Sequence, residues 1–377
     1  MRVAGRSIAA RRRSHRSGAR PPHGWCEARP WADRSRHGVA RSWQPWAVLW
    51  LALLLLAAAG RAAAGPLRVA VISDLNGGYG STEYESTVDG AVQRILELKP
   101  DLVISTGDMV AGQRKPHLTR SQVEAMWRSF HARVSDPLAQ AGIPVAVTPG
   151  NHDGSAYHGF ELERQMYGEQ WSARRPAVTF TDATHYPYHY AFTAGDALFV
   201  SLDATTLGEL PPEQMAWLED LLARHGGKYQ KRIVFSHVPL WPFTQGRERE
   251  YIGDPRLEKL LKEARVDLYL SGHHHAFYPG HKDGIHLVSQ ACAGAGPRRL
   301  IGSEARSPRA ITLIEIEGAQ LRLAALQEPG FTHLVDWRRL PERIRSKAAE
   351  LIRADLVQGR LEELAIEAGA APPRSTP

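Results

Sequence analysis

The sequence predicts an α/β protein built around parallel strands, and three observations carry that reading. Apolar runs rich in β-branched residues alternate with segments of helical periodicity between residues 67 and 290. At the front, the order strand, helix, strand, helix, strand implies parallel pairing through right-handed crossovers. Most of these runs also end in Asp, Asn, His or Gly, and in open α/β sheets ligands sit outside the carboxyl ends of the strands.

Taken in order, strands are expected at residues 67–73, 102–105, 145–148, 197–201, 233–236, 268–271 and 285–289. Helices are expected at 85–98, 121–141, 212–224 and 255–264. Pro212 and Pro255 open the last two, at the position where a missing N–H costs nothing. Residues 310–317 and 321–327 read as a hairpin around Gly318. From about Pro329 the character changes. Residues 341–367 read as helical, with Ile344, Leu351, Ile352, Leu356 and Leu361 as an apolar stripe packed back on the domain, and the closing "APPRSTP" as disordered. The expected division is a leader at 1–64, one domain at 65–328 and a carboxyl-terminal extension at 329–377.

Charge separates the leader from the rest. Residues 1–64 hold twelve Arg and two acids, a net of +10 against +7 for the whole chain, so residues 65–377 carry about −3. A basic footprint for extended nucleic acid is therefore absent from the folded part. The apolar run "AVLWLALLLLAAAG" at 47–60 is shorter than the roughly 20 residues of a comfortable membrane span. Ala62-Ala63-Ala64 follows it as a small-x-small cleavage site, so the leader reads as an export signal cleaved near Ala64, with periplasmic or secreted destination. An anchor through residues 47–60 is the alternative. The Arg-rich stretch ahead of the apolar run lacks periodicity and is expected to be disordered, or to lie upstream of a later true start. Cys26 belongs to the leader. That leaves Cys292, in "SQACAGAG", which reads as a small buried residue.

The strand ends carry the chemistry. Asp74-Leu75-Asn76 closes the first run, Gly107-Asp108 follows the second and Gly150-Asn151-His152-Asp153 the third. His237 follows "RIVFS", and Gly272-His273-His274-His275 follows "DLYLS". Singly, each is ordinary turn chemistry. Five strands delivering Asp, Asp, Asn, His and His-x-His to one edge are not. Oxygen donors with imidazoles and no thiolate suit Mn, Fe, Zn or Mg. Two such ions clamp the attacking and leaving oxygens of a displacement at phosphorus and activate a water.

The set "SDLN…GD…GNHD…H…GHHH" resembles the calcineurin-like metallophosphoesterases over about residues 67–290, with four of five motifs intact. The resemblance implies a four-layer α/β/β/α sandwich of two mixed sheets and a centre of two divalent or trivalent ions. It implies Asp108 as bridge, Asn151, His237 and His273 around one ion, and Asp74 and His275 around the other. Asn76 stands where the family usually has a histidine, as a weaker ligand or a turn former. His152 is implied as the catalytic group at the scissile phosphate, with Asp153 orienting it, and His274 as structural or substrate-facing. Purple acid phosphatases also lack that histidine but carry a tyrosine three residues after the bridging Asp. Ala111 occupies that place here, which implies a colourless protein.

The implied partner is a small phosphate-ester substrate, and oligomeric state is not legible. Monoesters, diesters, nucleotides and phospholipid headgroups stay open, as does a metal- and phosphate-binding protein without turnover. The segment Gly77–Gly80, with Tyr79, Ser81 and Thr82, is a candidate to contact substrate or, equally, a flexible connection. Arg298 and Arg299 read as an exposed basic loop, with a pair that holds a phosphate as the alternative. His117, His158, His185, His189, His225, His281 and His286 have no motif partner, with His158 and His189 as candidates to line the cleft.

Overall fold

A computed structural model describes residues 65–294, 296–357 and 361–365. The leader and the last residues, with the expectations attached to them, lie outside these. The strands are β1 (Leu67–Ile72), β2 (Leu102–Ser105), β3 (Val145–Val147), β4 (Thr179–His185), β5 (His189–Ala194), β6 (Ala197–Ser201), β7 (Lys231–Ser236) and β8 (Leu268–Ser271). They continue as β9 (Tyr278–Lys282), β10 (Ile285–Ser289), β11 (Ala310–Glu317), β12 (Gln320–Gln327), β13 (His333–Leu334), β14 (Arg343–Arg345), β15 (Glu350–Arg353) and β16 (Glu362–Glu363). The helices are α1 (Ser86–Leu98), α2 (Arg120–Phe130), α3 (Asp136–Gln140), α4 (Asn151–Gly154), α5 (Glu161–Ala173), α6 (Pro212–His225) and α7 (Pro255–Glu263). Among the described residues, no helix is long and apolar enough to cross a membrane.

Two mixed sheets result. One runs β13-β12-β11-β1-β2-β3, with β16 on β12; the other runs β14-β15-β9-β10-β8-β7-β6-β5-β4. The strands β1, β2 and β3 are parallel, as are β6, β7, β8 and β10.

The layering follows from the two-residue period of a strand. In β1, Val69 and Val71 face the second sheet and pack with Phe199, Ile233, Phe235 and Leu270. Ala70 and Ile72 face the other way, onto Val88 and Ile95 of α1 and Trp127 and Phe130 of α2. On the outer face of the second sheet, Leu198, Val200 and Val234 meet Leu218 and Leu221 of α6 and Leu257 and Leu261 of α7. The order helix, sheet, sheet, helix is the four-layer sandwich the sequence led us to expect. Its inner layer is almost wholly apolar, and it holds the two sheets' carboxyl edges side by side.

The extension departs from expectation. The stretch expected to be helical carries β14, β15 and a 3-10 turn at Ala354–Leu356 instead. The reason is the edge strand β9. Its backbone groups at Gly280 and His281 take up Arg353 and Ile352, and an open ladder outcompetes an uncapped helix. Ser346 closes the β14–β15 turn by accepting from the backbone N–H of Ala348 and Ala349. Ile344 and Leu351 still bury against the domain, while Leu356 is exposed. With β13 and β16 on the first sheet and β14 and β15 on the second, the described part of the extension belongs to both sheets rather than standing apart.

Candidate metal centre

Each strand-end residue is placed by a backbone turn that would be unremarkable alone. After β1, the Asp74 N–H donates to Gly107 O at 3.0 Å, and the Leu75 and Asn76 N–H groups donate to Asp108 O at 2.9 and 3.1 Å. The loops after β1 and β2 are thus stitched together. Gly107 has φ 97°, and a Cβ there would sit 2.7 Å from Gly150 Cα and 2.8 Å from His237 Nδ1. A Cβ on Gly150 would lie 2.1 Å from Asp108 N. Glycine is required at both places so that the loops can close on one another.

The carboxylates sit at the centre of this meeting point. Asp108 is buried; its Oδ1 accepts from His152 N at 2.8 Å, and its Oδ2 lies 3.3 Å from His237 Nε2. Burial alone would raise its pKa, but the His237 and His152 imidazoles hold it below the usual carboxylate range. Asp74 is fully buried, accepting at Oδ2 from Ser73 Oγ at 2.6 Å and His273 N at 3.1 Å. Its Oδ1 lies 3.1 Å from His275 Nε2 without an aligned hydrogen bond. Burial opposes ionisation there too, and the His275 charge wins, lowering Asp74 to about 2.

Three imidazoles are oriented by their far nitrogens. His237 Nδ1–H donates to Thr106 O at 2.8 Å, which turns Nε2 toward Asn151 Oδ1 at 2.9 Å and Asp108. Burial pulls the pKa of His237 down, and Asp108 lifts it past that to about 9. His275 Nδ1–H donates to Gly296 O at 3.0 Å, turning Nε2 to Asp74. His273 is different: its Nε2 is 2.8 Å from Glu250 Oε2, so Nδ1 is the ring nitrogen left over. Burial keeps His273 neutral, lowering it to about 4, while the His273 hydrogen bond, with Arg247, lowers Glu250 to about 2. A neutral imidazole donating to an ionised carboxylate is the resulting state near neutral pH. His274 points away from the centre: Nδ1 accepts from Phe243 N and Nε2–H donates to Glu250 O, a structural role rather than the substrate-facing alternative.

Asp153 corrects an expectation. It does not touch His152; its oxygens accept from Gly150 N at 2.6 Å and Met109 N at 2.7 Å, bracing the two loops. The orienting of His152 falls to Gly112, whose carbonyl accepts from Nδ1 at 2.7 Å. Burial first and the Asp108 charge second raise the Asp153 pKa to about 7.

Above the carboxylates opens a cleft of about 540 Å³, lined by Asn76, Asp108, Asn151, His152, His273 and His275 among others. Gly77, Gly78 and Tyr79 contribute to its wall, but Ser81 and Thr82 do not. None of the seven histidines without a motif partner lines it, His158 and His189 included. Arg298 does, against the exposed-loop reading, whereas Arg299 is exposed. Sequence reasoning missed Glu250, Arg247, Arg114 and Gln113, the last holding the Asn151 amide. All four lie in loops without periodicity or motif spacing.

These residues fit a metal pair. Asp74, Asp108 and His275 offer ligand atoms within 4.8 Å of one another. Two buried oxygens, Asp74 Oδ1 and Asn76 Oδ1, have no hydrogen-bond partner. Orphaned buried acceptors are costly in a folded protein, and a cation satisfies both.

The calcineurin-like phosphoesterase profile matches residues 67–277, more than half of the chain. The chain belongs to that family. It is 26% identical to purple acid phosphatase 23 of Arabidopsis thaliana over 56% of this chain and 47% of that protein. It is 25% identical to serine/threonine-protein phosphatase CPPED1 of Danio rerio over 60% of this chain and 69% of that one. Similarity also reaches a probable inactive purple acid phosphatase, number 27 of Arabidopsis thaliana, at 26% identity over 56% of this chain and 35% of that protein. This chain therefore spans about half the length of its first-named plant relative. Among solved structures, a purple acid phosphatase from yellow lupin seeds superposes with a TM-score of 0.53 at 18% identity, over 70% of this chain and 52% of that one. A dimetal phosphatase from Danio rerio gives 0.50 at 14%, over 69% and 96%. These two share the metallo-dependent phosphatase fold.

Proposed function

We propose that the protein is an exported, metal-dependent phosphoesterase that hydrolyses small phosphate esters. The observation that carries this reading is the convergence of side chains from five strand ends on one another beneath the cleft, where buried Asp74 Oδ1 and Asn76 Oδ1 have no hydrogen-bond partner. Asp108 would bridge two ions, with Asn151, His237 and His273 completing one shell, and Asp74, His275 and Asn76 the other. Bound there, the ions would supply an activated water near neutral pH and neutralise charge on the phosphoryl group.

The protein's own groups do the rest. His152 is partly exposed in the cleft, with Nδ1–H fixed on Gly112 O and Nε2 4.0 Å from Asp108 Oδ2. When protonated it donates from Nε2 to the leaving oxygen as the phosphorus–oxygen ester bond breaks, and returns as the Nδ1–H tautomer. Asp153 keeps the loops carrying Asp108 and Asn151 in register. Export rests on the apolar run and Ala62-Ala63-Ala64 in the sequence.

The test is metal content of the purified protein, paired with hydrolysis of aryl phosphate mono- and diesters before and after metal repletion. Two ions per chain with metal-dependent turnover is the expected result. Binding without turnover on either ester would make the protein a non-catalytic relative, a reading that Asn76 favours.

A further inference from the structure

Residues 65–377 carry a net charge of about −3, yet three of the cleft's lining residues are arginines: Arg114, Arg247 and Arg298. Arg247 and Arg298 are held on the same flank, the one that carries His273. Arg298 Nη1 donates to His273 O at 2.7 Å, and its backbone N–H donates to His275 O at 3.2 Å. The Arg247 guanidinium pairs with Glu250, which is itself held by His273. Both cations are therefore fixed through the turn that presents His273 and His275.

Each tether engages one end of a guanidinium, and a guanidinium has five N–H donors in a planar fork. Both residues line the cleft wall. Burial and the Arg247 charge together push the Arg298 pKa below its usual range, so the two like charges are close enough to oppose one another. Glu250, which Arg247 Nη1 engages through both oxygens, offsets this only in part: its charge and that of Asp74 raise the Arg298 pKa, and burial with the Arg247 charge still prevails. Among the described residues, Asp108, on the floor, is the only acidic one in the cleft lining. Two preorganised guanidiniums that repel each other in a part-buried wall are the arrangement that binds an anion by bidentate hydrogen bonds. The volume of about 540 Å³ falls within the range of small-molecule sites and exceeds what one phosphoryl group fills.

We propose that Arg247 and Arg298 form an anion subsite beside the metal centre, which receives a second negatively charged group, carboxylate or phosphate, on a small phosphate monoester. This rests on the phosphoesterase reading above. The pair sets specificity: it binds a group on the leaving-group side that takes no part in bond breaking.

The experiment compares kcat/KM of the metal-loaded protein on phenyl phosphate, on phenyl phosphate bearing a para-carboxylate, and on the para-bisphosphate. The charged substrates should be favoured by at least about tenfold, chiefly through KM, since two charge-assisted contacts are gained. Salt should erode that preference, because a partly exposed ion contact is screened. In Arg298→Met and Arg247→Met the ratio should fall toward one, and Arg298→Lys should restore part of it. Equal kcat/KM on all three esters in the unmutated protein overturns the subsite and leaves the phosphoesterase reading intact. So does an equal loss on all three in the variants, which would place the arginines on the transferring phosphoryl group. No hydrolysis of any ester by the metal-loaded protein sinks both proposals. The salt dependence uses the unmutated protein alone, so a variant that fails to fold does not remove the test.

Discussion

Replacing Glu250 by glutamine should loosen one metal site and leave the other nearly as it was. The Glu250 carboxylate lies 2.8 Å from His273 Nε2, and that bond is the largest influence holding its pKa near 2. In Glu250→Gln an amide oxygen can still accept from Nε2–H, but the charge that makes the bond strong and the imidazole more basic is gone. A charge-assisted hydrogen bond is about twice as strong as a neutral one. Losing the carboxylate behind a metal-binding histidine costs about 10- to 100-fold in affinity, or about 1.4–2.7 kcal/mol. Calorimetric titration of the apoprotein with Mn²⁺ or Zn²⁺ at fixed pH separates the sites. The ion that we propose Asp108, Asn151, His237 and His273 hold should weaken by that factor. The ion proposed for Asp74 and His275 should shift by less than threefold (roughly 0.7 kcal/mol). Two binding phases indistinguishable from those of the unmutated protein would refute the orienting role of Glu250. Equal weakening of both would show a general disturbance of the loop instead.

Asn76→His should tighten the Asp74-side ion by about tenfold or more, imidazole being the better donor; unchanged stoichiometry and affinity would show that Asn76 only shapes the turn. His152→Gln should lower kcat by about 10²- to 10⁴-fold on alkyl phosphates and much less on nitrophenyl phosphate, whose leaving group needs little protonation; the same loss on both would remove His152 from that role. His131, outside the cleft lining, stacks on Trp127 and bonds Ser135 Oγ and Gln170 Oε1. Burial, then the Arg174 charge, lowers its pKa to about 4, so the unfolded chain takes a proton near pH 6.5 that the folded one refuses. Its contribution is whole above pH 6.5 and lost as pH falls toward 4, up to roughly 3 kcal/mol. His131→Gln should flatten that acid limb in urea unfolding, and an unchanged limb would refute the assignment.

What could be read from the sequence and what could not divides along physical lines. The parallel strands were legible because each is buried on both faces and so reads as an unbroken apolar run. The residues of the candidate metal centre were legible because they follow those runs directly. The strand β9 was not, since "YPGHK" contains Pro279 and Gly280, which argue against a strand. Its pairing with β15 begins only at Gly280, so Pro279 has no ladder partner on that side to disappoint. Helicity was assigned to the extension because nothing local announces an open edge elsewhere in the molecule. Likewise Glu250, Arg247 and Arg298 reach the cleft through loops whose paths are set by contacts on other segments.

Backbone strain separates a set of turns from a site. A non-glycine residue in the left-handed region costs on the order of 1 kcal/mol or more. Among the described residues, Asp74, Asp108, His273 and His275 all sit there, with φ between 51° and 64°. Lys99 and Arg265, also left-handed, end helices, and Asp283 closes a hairpin, places where that conformation is expected. The four at the candidate metal centre have no such excuse, nor does Gln113, which lines the cleft at φ 62°. If turning the chain were their only task, glycine would do it without strain at every one of them, as it does at Gly107. Imidazole and carboxylate side chains at these positions are instead aimed inward by the strained backbone, and the stitching of Asp74, Leu75 and Asn76 to Gly107 and Asp108 holds them there. The strand-end Asp and His residues are therefore kept for their side chains. The cost of that strain is offset across the two-sheet core, which holds both carboxyl edges in place.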